Sequence, residues 1–162
     1  RSLSYDANQY YKLTISSDGE GFIPINSLTG LDDFVVEFDT QINYSSGFGS
    51  GFSISDSNSN SVSVYLHQES LTHSKQVNGS FTYGSENVNN PSNTWLHYKI
   101  TVTNNAINMK LYNGNTLLKE YSETYSHIAF DNNTKYGFST VWTRGRICPF
   151  KNLKSLDRKS VV

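Results

Sequence analysis

The sequence predicts an all-β fold, a two-sheet antiparallel β-sandwich of the jelly-roll kind. Three observations carry that prediction. Apolar residues recur with period two in almost every apolar run. Clusters of Ser, Asn, Asp and Gly separate these runs at short intervals. No run shows a sustained 3.6-residue apolar stripe.

The elements follow in order. In "DFVVEFDTQI", Phe34, Val36, Phe38 and Ile42 fall on one face, and Val35, Glu37, Asp39 and Gln41 on the other. Phe52 and Ile54 share a face in "GFSIS". Val62, Val64 and Leu66 alternate with Ser63, Tyr65 and His67 in "SVSVYLH". In "WLHYKITV", Leu96, Tyr98, Ile100 and Val102 alternate with Trp95, His97, Lys99 and Thr101. Ile107, Met109 and Leu111 lead to Asn113-Gly114, a pair that tolerates positive φ and predicts a hairpin turn. Alternation resumes in "KYGFSTVW" and "FKNLKSL". The segment "TLLKEYSETYSHIAF" comes nearest to a helix, but its flanks favour strand plus loop. Residues 1–156 are expected to form the module and 157–162 a flexible tail.

Composition narrows the function. The chain has 162 residues, enough for one domain with a sizeable core. Only 17% of residues are charged, so solubility rests on Ser, Asn and Thr, a balance common in extracellular or virion β proteins. A net charge of −1 supplies no field for polyphosphates, which argues against nucleic acid as a partner. Neither a polybasic patch nor an apolar run of about twenty residues is present, so no membrane insertion is expected. The chain opens on Arg1, as a segment of something longer would. The single cysteine, Cys148, excludes an intramolecular disulfide and a cysteine-based zinc cluster, and its apolar neighbours predict a buried, inert thiol.

The order of features resembles the concanavalin A-like lectin/glucanase superfamily, in its laminin-G-like and carbohydrate-binding-module branch. The likeness runs over roughly residues 8–156 and is one of pattern. It rests on "DDFVVEFDTQI", then "GFGSGFSISD", then "NTWLHYKITVTNNAINMKLYNGNTLL", "YGFST" and the closing "FKNLKSL". The resemblance implies two stacked, curved sheets with sugar bound on a concave face or at an edge loop. It also implies that Trp95 packs under the hairpin. Modules of this kind occur on bacteriophage baseplates and tail fibres, which implies an extracellular, virion or cell-surface setting within a larger or oligomeric assembly. Calcium near a sheet edge is a family feature, with Asp32, Asp33, Asp56 and Asp131 as the sensible loop donors here; no other cofactor is implied.

The superfamily also contains glycoside hydrolases that use Glu-x-Asp-x-Glu on one strand. Alternate positions put the carboxyls on one face, where they converge on one glycosidic bond. Here "EFDTQ" supplies Glu37, Asp39 and Gln41, and an amide cannot transfer the catalytic proton. No HExxH and no Gly-x-Ser-x-Gly elbow occurs. A non-catalytic carbohydrate-binding module is therefore the expected function. A glucanase-type hydrolase and a protein-interaction domain are the alternatives.

Sugars lay C–H faces on aromatic rings and take hydrogen bonds from planar polar groups. Tyr65 and His67 are expected on a face away from the core, with Gln41 and Asp39 as hydrogen-bonding candidates. Tyr83, in "SFTYG", either joins them or enters the core. In "VWTRGR", parity places Trp142 with Phe138 toward the core, whereas a strand end at Gly145 would turn it to a rim beside Arg144 and Arg146. Both readings of Trp142 stand on sequence alone.

Overall fold

The computed structural model of the protein describes residues 2–6, 10–14, 21–41, 48–89, 91–129, 131–140 and 147–160. Thirteen strands are formed among the described residues: β1 Ser2–Asp6, β2 Tyr10–Thr14, β3 Gly21–Pro24, β4 Phe34–Thr40, β5 Phe48–Ser55, β6 Ser61–His67 and β7 Ser70–Val77, then β8 Ser80–Asn87, β9 Leu96–Thr103, β10 Ala106–Asn113, β11 Thr116–Thr124, β12 Lys135–Thr140 and β13 Ile147–Asp157. They pair antiparallel in a seven-stranded sheet, β1-β2-β13-β4-β9-β10-β11, and a six-stranded sheet, β3-β12-β5-β6-β7-β8. The only helical turns among the described residues are two short 3₁₀ segments, Asn26–Leu28 and Arg158–Ser160.

The period-two pattern decides which face of each strand is buried. Phe34, Val36 and Phe38 of β4 are fully buried, as are Leu96, Tyr98, Ile100 and Val102 of β9. From the other sheet, Phe52, Ile54, Val64, Leu66, Leu71 and Tyr136 meet them. Aromatic edges join the layers: Phe34 to Tyr136 at 4.7 Å and 83°, and Phe38 to Phe138 at 4.9 Å and 88°. Edge-to-face geometry of this kind adds to the burial of apolar area.

Inside this core the Tyr98 hydroxyl makes no hydrogen bond. Burial pushes its pKa up; the Leu66 backbone N–H tempers that effect without reaching hydrogen-bonding geometry. A buried hydroxyl without a partner contributes little to stability or opposes it. Tyr98→Phe should therefore leave the urea midpoint unchanged or raise it, by up to about 1 kcal/mol. A loss larger than that would mean the hydroxyl is held after all.

The open side between β8 and β11 is closed by polar groups rather than apolar ones. Lys75 of β7 reaches Glu123 of β11 at 2.5 Å, Tyr121 donates to the same carboxylate at 2.8 Å, and Lys119 pairs with Glu86. His73 stacks on Tyr121 at 4.5 Å. That stack needs Gly84 opposite, because a Cβ there would fall 2.1 Å from His73 Cε1. Burial raises the Glu123 pKa, but hydrogen bonds from Lys75 and Tyr121 and the charges of Lys75 and His73 outweigh it, and the carboxyl sits below the ordinary glutamate range. A depressed folded-state pKa means that the unfolded chain takes the proton first. The stabilisation is thus complete above the ordinary glutamate value and disappears as pH falls through the folded one. Glu123→Gln should lower the urea midpoint at neutral pH, and the gap to the parent should shrink as pH falls below the ordinary glutamate value and through the depressed folded-state one. A gap independent of pH would refute this role.

The turns refine the sequence reading. Asn78-Gly79 forms the two-residue β7–β8 turn with φ of 49° and 84°. The β10–β11 turn is displaced by one residue: Asn113 still pairs with Thr116, so Gly114, at φ 56°, and Asn115 make the bend. The last strand runs one residue past the expected end of the module at 156. Asp157 completes β13, the Arg158 amide donates to the Asp33 carbonyl at 3.1 Å, and Arg158 pairs with Asp33 at 3.2 Å. Two acidic loop residues facing two basic ones give these positions a defined place.

Candidate functional site

The sandwich has two outward faces of very different chemistry. On the seven-stranded sheet, β4 and β9 present Glu37, Asp39, His97 and Lys99. His97 lies between the carboxylates, with Nδ1 2.7 Å from Asp39 Oδ1 and Nε2 3.3 Å from Glu37 Oε2. Asn152 donates to Asp39 Oδ2 at 2.6 Å, and Lys99 stands 3.6 Å from Glu37. Gln41 Nε2 donates to the Asn93 carbonyl at 3.0 Å. Asp39 and Gln41 are thus tied into the protein's own network. Trp95 is half-buried beneath Lys151, whose Nζ is 4.1 Å from the ring centroid.

The outward face of the six-stranded sheet carries hydroxyls, amides and rings. Register puts Phe22 and Pro24 of β3 beside Ser139 and Gly137 of β12, followed by Gly51 and Ser53 of β5. Ser63, Tyr65 and His67 of β6 come next, then Thr72, Ser74 and Gln76 of β7. Phe81, Tyr83, Ser85 and Asn87 of β8 complete the face. Its middle is shielded: Ser53, Ser63, Tyr65, Ser74 and Ser139 are all buried. Ser53 and Ser63 share a 2.6 Å hydrogen bond, while the Ser74 hydroxyl has no partner.

Tyr65 is therefore corrected as an open ring platform. It does lie on the face away from the core, as parity requires, but it is only 3% exposed. Its cross-strand neighbour Gly51 lets the strands sit tight there, since an added Cβ would fall 2.4 Å from Tyr65 Cβ. His67, at the end of β6, is half-buried. Trp142, Arg144 and Arg146 lie outside the described residues, as does the Cys148 side chain.

Two flanks of this face remain open. At the β8 edge, Tyr83 is 56% and Phe81 39% exposed, with ring centroids 5.8 Å apart and planes 13° from parallel. Alternate positions on one strand give this parallel pair. The same spacing could have found Phe81 from "SFTYG" once Tyr83 was placed outward. At the β3–β12 end lies a cavity of about 440 Å³ lined by Phe22, Ser55, Asp56, Ser57, Asn133 and Lys135.

The eight candidates from the sequence therefore do not assemble into one site. Asp39 and Gln41 stand on one outward face and Tyr65, His67 and Tyr83 on the other, with the core between them. No group of three or more His, Cys, Asp or Glu side chains among the described residues is placed to hold a metal ion. No helix among them is long and apolar enough to cross a membrane.

Two antiparallel sheets packed face to face make the chain a two-sheet β-sandwich. No protein-family model and no curated protein matches the chain. Solved structures do. The carbohydrate-binding module CBM66 from Bacillus subtilis is 16% identical, with a TM-score of 0.60 over 95% of this chain and 90% of that one. A toad ovary galectin, solved with thio-digalactose, is 10% identical, with a TM-score of 0.58 over 85% of this chain and 98% of that one. A xylan β-1,4-xylosidase from Bacillus halodurans is 11% identical with a TM-score of 0.66; it covers 90% of this chain but 32% of the enzyme. At such identities the shared property is the fold.

Proposed function

We propose that this chain is a non-catalytic carbohydrate-binding module that attaches a larger extracellular assembly, such as a phage baseplate, tail or surface adhesin, to a polysaccharide. The observation that carries the reading is the exposed, parallel Phe81–Tyr83 pair. Around it, Thr72, Gln76, Ser85 and Asn87 supply hydroxyl and amide groups, and β7 and β8 place no charged side chain on that face. Rings for C–H faces beside uncharged hydrogen-bonding groups suit a neutral glycan. The galectin and carbohydrate-binding-module likenesses support the same reading. Catalysis is disfavoured because Glu37 and Asp39 are both engaged by His97 and the third strand position is Gln41.

A glycan array, with pull-down on insoluble polysaccharide and a reducing-sugar assay on the same fractions, tests this. Binding without release of reducing ends is expected. A blank array would overturn the proposal, and so would release that stops with Glu37→Gln.

A further inference from the structure

We infer that the cavity at the β3–β12 end of the six-stranded sheet is a separate ligand subsite that takes a sugar residue bearing a carboxylate. The inference rests on the carbohydrate reading of this face. The cavity spans β3, β12 and the end of β5, so the β8 edge lies three to five strand positions away, or about 14–24 Å across the sheet.

Its floor is a ring. Phe22 lies across Gly137, where an added Cβ would fall 2.9 Å from Phe22 Cε2 and 2.1 Å from the Ile23 carbonyl oxygen. Only glycine lets the ring lie down on the sheet at that position, half-buried and open to the cavity. A sugar C–H face fits such a surface.

The wall is rigid because Asp56 spends its acceptors on it. Oδ1 accepts from the Asn58 and Asn60 amides at 2.7 and 3.1 Å. Oδ2 accepts from Asn60 Nδ2 at 2.9 Å and the Ala129 amide at 3.1 Å. Asp131, in the neighbouring turn, accepts from the Asn133 amide at 2.7 Å. Asp56, with two hydrogen bonds on each oxygen, is not left to receive sugar hydroxyls, and Asp131 is not part of the lining.

Among the polar groups that remain, Lys135 is the one that can only donate. Lys135 forms no ion pair with any described carboxylate, and the side chains of Asn133, Ser55 and Ser57 are open to a ligand. The Lys135 ammonium has three donors and no acceptor, whereas the Asn133 amide and the two serine hydroxyls both donate and accept. A neutral sugar hydroxyl brings a donor with each acceptor oxygen. A carboxylate brings acceptors alone, together with the charge that Lys135 lacks. Asp56 in the wall and Asp131 in the neighbouring turn set the limit on this preference: they place negative charge on that side, so the ligand carboxylate must point to Lys135.

The test is a titration of the full, ¹⁵N-labelled chain followed at the amides of Ser57, Asn133 and Lys135. The probes are sodium D-glucuronate, D-glucose as its neutral match, and sodium phosphate. Glucuronate should give saturable shifts, with glucose at least about fivefold weaker and phosphate without saturation. Lys135→Gln should bring glucuronate down to the glucose level. Equal response to glucose and glucuronate, an equal response to phosphate, or an unchanged Lys135→Gln variant would overturn the inference. The two readings fail separately. If array glycans move only amides around Tyr83 and glucuronate moves none, the cavity falls and the module stands. If glucuronate saturates while the array is blank, the neutral-glycan platform falls and the cavity stands.

Discussion

Tyr83→Ala is expected to weaken glycan binding about tenfold or more while the fold stays intact. The ring is 56% exposed and stacked parallel to Phe81, so it does little for the core and much for a ligand laid on it. Covering an aromatic face of this size is worth about 1.5–3 kcal/mol. Each 1.4 kcal/mol corresponds to roughly tenfold in affinity. Phe81→Ala should give a smaller loss, because its ring is less exposed. Affinity electrophoresis in the polysaccharide found on the array would read the change. The urea midpoint should move by less than about 0.5 kcal/mol, as for other surface substitutions. Retention of parental affinity by Tyr83→Ala with an unchanged midpoint would remove the β8 edge from the site.

Phe38→Ala should cost about 3–5 kcal/mol of stability, the range for emptying a buried aromatic site. Phe38 is fully buried. Its ring lies 5.0 Å from Tyr98 on the neighbouring strand and 4.9 Å from Phe138 in the opposite sheet. Phe138 in turn stacks on Phe150 at 4.0 Å. Its loss therefore opens a void at the junction of both layers. Against a total of about 5–15 kcal/mol, that is enough to unfold a marginal domain. Val35→Ala, on the other face of the same strand, is the control and should shift the urea midpoint by less than about 1 kcal/mol. If the two substitutions cost the same, alternation on β4 would not be what builds the core.

Alternation is a local property, and it was legible. A side chain two positions along a strand returns to the same face, so Phe34, Val36 and Phe38 could be assigned together before any coordinate was known. The same parity put Tyr65 and His67 outward and opposite Val64 and Leu66. A two-residue turn depends on its own residues alone, and Asn78-Gly79, both at positive φ, makes one between β7 and β8. Parity assigns faces within one strand, however, and says nothing of which sheet that strand joins. Asp39 and Tyr65 therefore looked like partners in sequence, although the strand order sets them on opposite sides of the sandwich.

Burial on the outward face was likewise beyond the reach of sequence. Tyr65 and Tyr83 sit on the same side of one sheet and differ from 3% to 56% in exposure, because one lies on an inner strand and the other on the edge. The Phe22 cavity needed β3 to pair with β12 across more than a hundred residues, which brings the ring over Gly137. Short-range spacing by itself determined an all-β chain with one apolar and one polar face per strand. Only the long-range pairing of those strands decided which polar groups meet, because contact between distant segments depends on their order in the sheets.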